Sequence, residues 1–254
     1  MTQGDDKPAG PIKVPGREAP ALPKRFYKDV SVETRDGGFA VLLDGRPVRT
    51  PKKLSLVVPT RGLAEAIAAE WAAQGDMIDP ASMPLSKLAI TALDGVADHM
   101  GEVAAEVVKF AGSDLLCYRA EAPEGLVALQ AKTWDPVLRW LEHELGARFV
   151  LAEGMMPVEQ SRALLDGVAR LVAPYDAMAL TALHVMTTLM GSAALALAHT
   201  KGRLSADDAW TAAHVDEDWQ ISQWGVDVEA AERRAKRLRE MQAASRFLEL
   251  LAAR

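Results

Sequence analysis

Residues 204–232 combine three tryptophans with side chains of acidic charge only, in a chain of 254 residues. The stretch has no Lys or Arg and eight carboxylates: Asp207, Asp208, Asp216, Glu217, Asp218, Asp227, Glu229 and Glu232. Helical spacing places five of its side chains on one stripe: Trp210, His214, Glu217, Ile221 and Trp224. Burying a carboxylate unpaired on such an apolar stripe costs several kcal/mol. Glu217 is therefore predicted to have a partner, either within the chain or on another protein.

His214, Glu217 and Asp218 also have the i, i+3, i+4 spacing of metal ligands or of an acid–base pair on one helix. No second helix is marked by further ligands, however. The sequence contains no GxxxxGK[ST] phosphate loop, no GxGxxG and no GxSxG elbow. We predict a protein that is not an enzyme and uses no cofactor or metal. The alternative is a small-molecule enzyme with a scattered carboxylate and histidine site around His214 and Glu217.

The composition is that of an ordinary globular protein, with 49% apolar and 25% charged residues. A net charge of −6 argues against nucleic acid or an anionic membrane as the main partner. The single cysteine, Cys117, excludes an internal disulfide framework and indicates a reducing compartment. Residues 1–24 are rich in proline and lack both an apolar core and an amphipathic run. They are predicted to be a flexible leader, and the protein is predicted to be cytoplasmic.

The elements that must position these residues begin with a β-meander over residues 26–58. Val30 and Val32 alternate with polar neighbours, which is the period of a strand with one buried face. Asp44-Gly45 predicts a two-residue hairpin turn, because a type I′ turn needs positive φ at both positions. Pro47 in the next segment predicts an edge strand.

Helical periodicity dominates after Pro59. Thr60 is predicted to cap a first helix, which Trp71 anchors to the rest of the fold. Later helices are expected to begin at Pro84 and to cover about 98–111, 126–145, 177–198, 205–224 and 227–252. We therefore predict an α+β protein with three parts: the leader over 1–24, a small antiparallel β-rich N-terminal domain over 25–95, and a larger, mainly α-helical C-terminal domain over 96–254.

Two of these helical segments leave a choice open. Asp135-Pro136 either kinks the helix over 126–145 or starts a new one. The segment 177–198 has no formal charge and is long enough to span a membrane. Its Thr, His and Ser residues and its many alanines instead favour a helix enclosed by other helices. We predict no integral membrane segment.

Several short strings in this order resemble one protein family. They are Arg25-Phe26-Tyr27, Leu43-Asp44-Gly45-Arg46-Pro47-Val48-Arg49-Thr50-Pro51, Glu70-Trp71-x-x-Gln74, Met83-Pro84-Leu85, Asp114-Leu115-Leu116-Cys117-Tyr118-Arg119, Gln130-x-x-x-Trp134-Asp135-Pro136 and Asp216-Glu217-x-x-Gln220-x-x-x-Trp224-Gly225. The family comprises the assembly chaperones that hold the free α subunit of the F-type ATP synthase catalytic head. Ile90 departs from the pattern, since a polar residue is expected there.

The resemblance implies a two-domain protein without enzymatic activity. Its partner would be the unassembled α subunit. The chaperone would cover the surface of α that later meets the β subunit, so that α does not aggregate. The chain is expected to act as a monomer. The residues expected to contact the partner are Glu70, Trp71, Trp210, Asp216, Glu217, Gln220 and Trp224.

Overall fold

A small antiparallel sheet begins the part of the chain that the computed structural model describes, which is residues 22–153 and 158–253. The predicted leader lies outside the described residues up to position 21. Strand β1 (Val30–Arg35) pairs along its whole length with β2 (Gly38–Leu43), from Val30 opposite Leu43 to Arg35 opposite Gly38. Strands β3 (Arg46–Pro47) and β4 (Val57–Val58) both pair antiparallel with β2.

Two glycines are required by the geometry of this sheet. Asp44 and Gly45 connect β2 to β3 with φ values of 48° and 75°, as the predicted hairpin turn demands. Gly38 has a φ of 148°, and a Cβ there would lie 2.2 Å from the carbonyl oxygen of Val58. A side chain at Gly38 would therefore separate β4 from β2.

Two helices complete the N-terminal part. Helix α1 (Arg61–Ala72) is capped as predicted, with the Thr60 hydroxyl accepting the Leu63 N–H at 3.3 Å. Helix α2 (Pro84–Thr91) continues into a π-helical turn, Ala92–Val96. The predicted domain boundary after residue 95 falls within that turn and stays a prediction.

The helical part begins with α3 (Met100–Gly112), α4 (Glu124–Leu145) and α5 (Arg162–Val172). Strands β5 (Tyr118–Arg119) and β6 (Ala152–Glu153) form a short parallel pair beside them. Pro136 lies inside the single helix α4 and does not start a new one. The predicted α+β fold class, with a small antiparallel sheet followed by a mainly helical part, is thus confirmed.

The uncharged segment 177–198 does not form the continuous helix that we predicted. It divides into α6 (Ala177–Met190) and α7 (Ala193–Thr200), because Gly191 adopts a left-handed conformation (φ 66°) and Ser192 caps a new helix. The buried carboxylate of Asp114 fixes this corner by accepting from the Ser192 hydroxyl at 2.7 Å and the Ala194 N–H at 2.9 Å. Burial raises the pKa of Asp114 to about 6. Within 22–153 and 158–253, no helix is both long and apolar enough to span a lipid bilayer.

The predicted single helix over 205–224 is also two helices. Helix α8 (Ala206–Ala213) ends at His214, and α9 (Val215–Trp224) starts directly after it. Helix α10 (Val228–Ala252) then runs to the end of the described chain, close to the predicted bounds of 227–252. Four of the five residues of the predicted stripe, Trp210, Glu217, Ile221 and Trp224, nevertheless line one surface groove, while His214 is buried at the break.

Candidate protein-interaction site

The break between α8 and α9 is built around His214. Its imidazole is 4% exposed and packs on Trp210, with ring centroids 4.0 Å apart. Nδ1 lies 2.7 Å from the Trp210 carbonyl oxygen and so carries the proton it donates there. Burial lowers the pKa of His214, although the bond to the Trp210 carbonyl opposes this. His214 is therefore a neutral packing residue at neutral pH, with its ring closed to solvent.

One face of α9 is bound to α4. Gln130 Nε2 donates to Asp216 Oδ1 at 2.7 Å, and Gln130 Oε1 accepts the Ala120 N–H at 2.9 Å. The Trp219 ring lies directly on Gly125, so close that a Cβ on that glycine would stand 2.5 Å from it. The buried Trp134 of α4 donates from Nε1 to the carbonyl of Ala212, in the preceding helix α8, at 2.7 Å. These contacts fix the position and rotation of α9.

The opposite face of α9 borders an open groove of about 970 Å³ between α9 and α10. Glu217, Gln220 and Trp224 lie along it, and all three are exposed. The Trp224 indole is 81% exposed, the largest exposed fraction among the large apolar side chains of the described chain. Exposed valines continue this apolar surface past the end of α9 at Val226 and Val228.

The cation nearest to Glu217 comes from α10. Arg234 forms a hydrogen-bonded ion pair with Asp218, and its closest approach to the Glu217 carboxylate is 3.9 Å. The hydrogen bond that Arg234 donates to Asp218 raises the pKa of Arg234. The sequence left open whether the partner of Glu217 lies within the chain or on another protein. An internal cation is present, but at 3.9 Å it lies at the distance limit of an ion pair. The Glu217 side chain remains 55% exposed, so part of its carboxylate is open to solvent.

The other residues expected to contact the partner are engaged within the chain. Trp210 lines the groove but is only 5% exposed and packs on His214, and Asp216 accepts from Gln130. Glu70 accepts the Leu85 and Ser86 N–H groups at the start of α2, at 2.7 and 2.8 Å. Burial raises the pKa of Glu70 despite those bonds.

Trp71 is half-buried and lies beside Tyr27, whose hydroxyl donates to the Trp71 carbonyl at 2.8 Å. The indole Nε1–H of Trp71 is buried and makes no hydrogen bond within the described residues. These contacts place Trp71 in the N-terminal part of the molecule, where it holds the end of α1 against the chain entering β1.

The sequence did not predict that Val226 and Arg234 line the groove, or that Val228 is exposed next to it. The two valines could have been noticed in the sequence, because positions 226 and 228 are apolar within a strongly charged stretch that follows Trp224-Gly225. The sequence could not single out Arg234 as the partner of Asp218, because it is one of five basic residues within 233–239. In the ranges that the structure describes, no group of three His, Cys, Asp or Glu residues is arranged to hold a metal ion.

An exposed tryptophan beside carboxylates, on a rigidly held helix, is the kind of surface that binds another protein. The family model described as ATP12 chaperone protein matches residues 24–142. A crystal structure of Atp12 from Paracoccus denitrificans is similar to this chain at a TM-score of 0.85 and 43% identity, covering 90% of this chain and 98% of that one. The chain belongs to the ATP12 family of ATP synthase assembly chaperones.

Other relatives agree with this assignment. A crystal structure of an Agrobacterium tumefaciens protein matches with a TM-score of 0.87 and 51% identity, covering 91% of this chain and 87% of that one. The mitochondrial protein atp12 of Schizosaccharomyces pombe is 23% identical over 241 residues, which is 89% of this chain and 81% of that protein. The resemblance on which the sequence analysis relied is thereby confirmed at the level of the family.

Proposed function

We propose that this protein binds the free α subunit of the F-type ATP synthase and keeps it from aggregating before the α/β hexamer forms. Membership of a family of ATP synthase assembly chaperones supports this proposal. The observation that carries it is the open face of α9, where an almost fully exposed tryptophan lies beside a carboxylate that is only partly paired.

The α-subunit surface complementary to this face would be apolar with a basic rim. Trp224, Val226 and Val228 offer apolar area that a monomeric protein ordinarily buries. Glu217 lies at the edge of that area, and its exposed carboxylate oxygen could accept from an Arg or Lys of the partner. Gln220 adds an amide on the same face.

We assign the remaining four residues to positioning. Asp216 and Trp210 hold α9 and its junction with α8, while Glu70 and Trp71 stabilise the N-terminal part. The proposal therefore separates three contact residues, Glu217, Gln220 and Trp224, from four residues that act through the fold.

We further propose that the chain performs no catalytic step. The buried imidazole of His214, with Nδ1 committed to a backbone carbonyl, is poorly placed to meet a substrate. We also propose that it works in the bacterial cytoplasm, supported by the higher identity to the two bacterial proteins than to the mitochondrial one. The predicted monomeric state stays a prediction.

The test is the substitution Glu217→Lys, assayed by light scattering of the α subunit as it aggregates. Glu65→Lys is a matched control, because Glu65 is 57% exposed and also lies near an arginine, Arg61 at 3.3 Å. We expect Glu217→Lys to melt like the wild type and to need at least about tenfold more protein for the same protection, since a like charge replaces an attraction. Full protection by a well-folded Glu217→Lys, or equal loss in Glu65→Lys, would contradict the proposed contact.

A further inference from the structure

A second surface depression lies in the N-terminal part of the molecule. None of its lining residues belongs to the groove between α9 and α10. The depression has a volume of about 560 Å³ and an aromatic wall made by Phe26, Tyr27 and Trp71. The three rings form a series of edge-to-face contacts, with centroids 5.4 Å apart for the first pair and 5.7 Å for the second. We call this depression the N-terminal pocket.

The wall of the N-terminal pocket is held in place before any ligand arrives. The Tyr27 hydroxyl donates to the Trp71 carbonyl at 2.8 Å, and the Arg25 guanidinium stacks over the Tyr27 ring at 4.6 Å. Arg25 itself donates to the backbone carbonyls of Gln74 and Lys28. Phe26, at the outer end of the wall, is 74% exposed. A rigid aromatic surface with an exposed end binds with little loss of conformational entropy.

Two exposed arginines line the same pocket. Arg46 and Arg49 are lining residues, and neither lies within ion-pair distance of a carboxylate in the described chain. The one acidic residue of the lining, Asp44, accepts the Asp29 and Lys28 N–H groups at 2.8 and 3.0 Å. Both bonds end on Oδ1, and they lower the pKa of Asp44. Arg49 donates from one guanidinium nitrogen to the Lys53 carbonyl at 3.0 Å. The exposed remainder of its guanidinium and the exposed Arg46 side chain stay available to a ligand.

The charge of this region is opposite to that of the α9 surface. Residues 24–53 carry eight basic and four acidic side chains, whereas residues 204–232 carry eight acidic side chains and no Lys or Arg. The N-terminal pocket is thus a basic site in a protein of net charge −6. Two separated guanidinium groups beside a pocket of this size suit a short acidic motif better than the long phosphate track of a nucleic acid.

We propose that the N-terminal pocket binds a short acidic segment of a protein partner, with a large apolar side chain against Phe26 and Trp71 and flanking carboxylates on Arg46 and Arg49. Guanidinium groups match carboxylates through paired hydrogen bonds, and aromatic walls supply the apolar contact area. This binding is independent of the proposed function, because it uses neither the α9–α10 groove nor any residue assigned to it as a contact.

The probe is a synthetic peptide, acetyl-Glu-Asp-Leu-Phe-Pro-Asp-Glu-amide, titrated calorimetrically into the full chain. A peptide with Gln and Asn in place of Glu and Asp tests the charge. The variant Arg46→Glu/Arg49→Glu reverses both arginines of the pocket, and Phe26→Ser removes the exposed aromatic end. Arg139→Glu/Arg162→Glu is the matched control, since it makes the same charge change at two exposed arginines of the helical part.

We expect the acidic peptide to bind the wild type and the control variant equally. Reversal of the two pocket arginines should weaken binding at least about tenfold, Phe26→Ser should weaken it several-fold, and the uncharged peptide should bind about tenfold more weakly. Three results would overturn the proposal: no saturable binding up to about millimolar peptide, equal loss in the control variant, or complete displacement by inorganic phosphate at constant ionic strength. The α subunit is absent from this experiment, so its outcome is separate from that of the proposed function.

Discussion

The two faces of α9 show how neighbouring acidic residues acquire different roles. On the inner face, Asp216 is hydrogen-bonded to Gln130 and Trp219 lies on Gly125. On the outer face, Glu217 keeps more than half of its side chain in solvent and Trp224 is almost fully exposed. Successive residues of a helix differ by about 100° in direction, and here that step turns Asp216 toward α4 and Glu217 toward the groove. The carboxylate on the inner face is therefore used in a contact within the fold, whereas the Glu217 carboxylate on the outer face stays partly open to a partner.

The largest loss of stability is expected from Trp134→Ala, because Trp134 of α4 is bonded to α8 directly before α9 begins. Trp134 is fully buried and its indole donates to the Ala212 carbonyl, so the change removes both packing and a hydrogen bond. We expect the free energy of unfolding to fall by about 3–5 kcal/mol, measured by urea titration. A loss below about 1 kcal/mol would show that the α4 contact does not hold this region together.

A smaller effect is expected from Gly125→Ala. The new methyl group would meet the Trp219 ring at 2.5 Å, so α9 has to shift on α4, at a cost of about 1–3 kcal/mol. Gly101→Ala is the matched control, because both glycines are the second residue of their helix and Gly101 has no atom near its Cβ position. Gly101→Ala should leave stability unchanged or slightly higher. Equal melting of the two variants contradicts the close Trp219 contact.

The smallest effect on stability is expected on the outer face, from Trp224→Ala. Truncating an exposed side chain should change the free energy of unfolding by less than about 0.5 kcal/mol. Protection of the α subunit should nevertheless fall about thirtyfold if this indole is a central contact, since such residues contribute about 2 kcal/mol or more. Retained protection, or a loss of stability like that of Gly125→Ala, would remove the distinction between the two faces.

Local chemistry made much of the fold predictable from the sequence. The Asp44-Gly45 turn, the Thr60 cap of α1 and the bounds of α10 depend on a few adjacent residues, and the structure has each of them. The family was likewise recognisable from strings spread over residues 25–225, as the similarity to Paracoccus denitrificans Atp12 confirms. The acidic residues and tryptophans of 204–232 were visible in the same way.

The division of those residues between two faces was decided by tertiary structure. Helical periodicity alone does not show that the helix ends at His214, where the imidazole is buried against Trp210. Nor can it show that Arg234 from α10 approaches Glu217, or that Gln130 from α4 satisfies Asp216 across 86 positions of the chain. Sequence spacing fixes the direction of a side chain on its own helix. Which directions are covered depends on where the other helices pack, and that is set by the burial of the whole core.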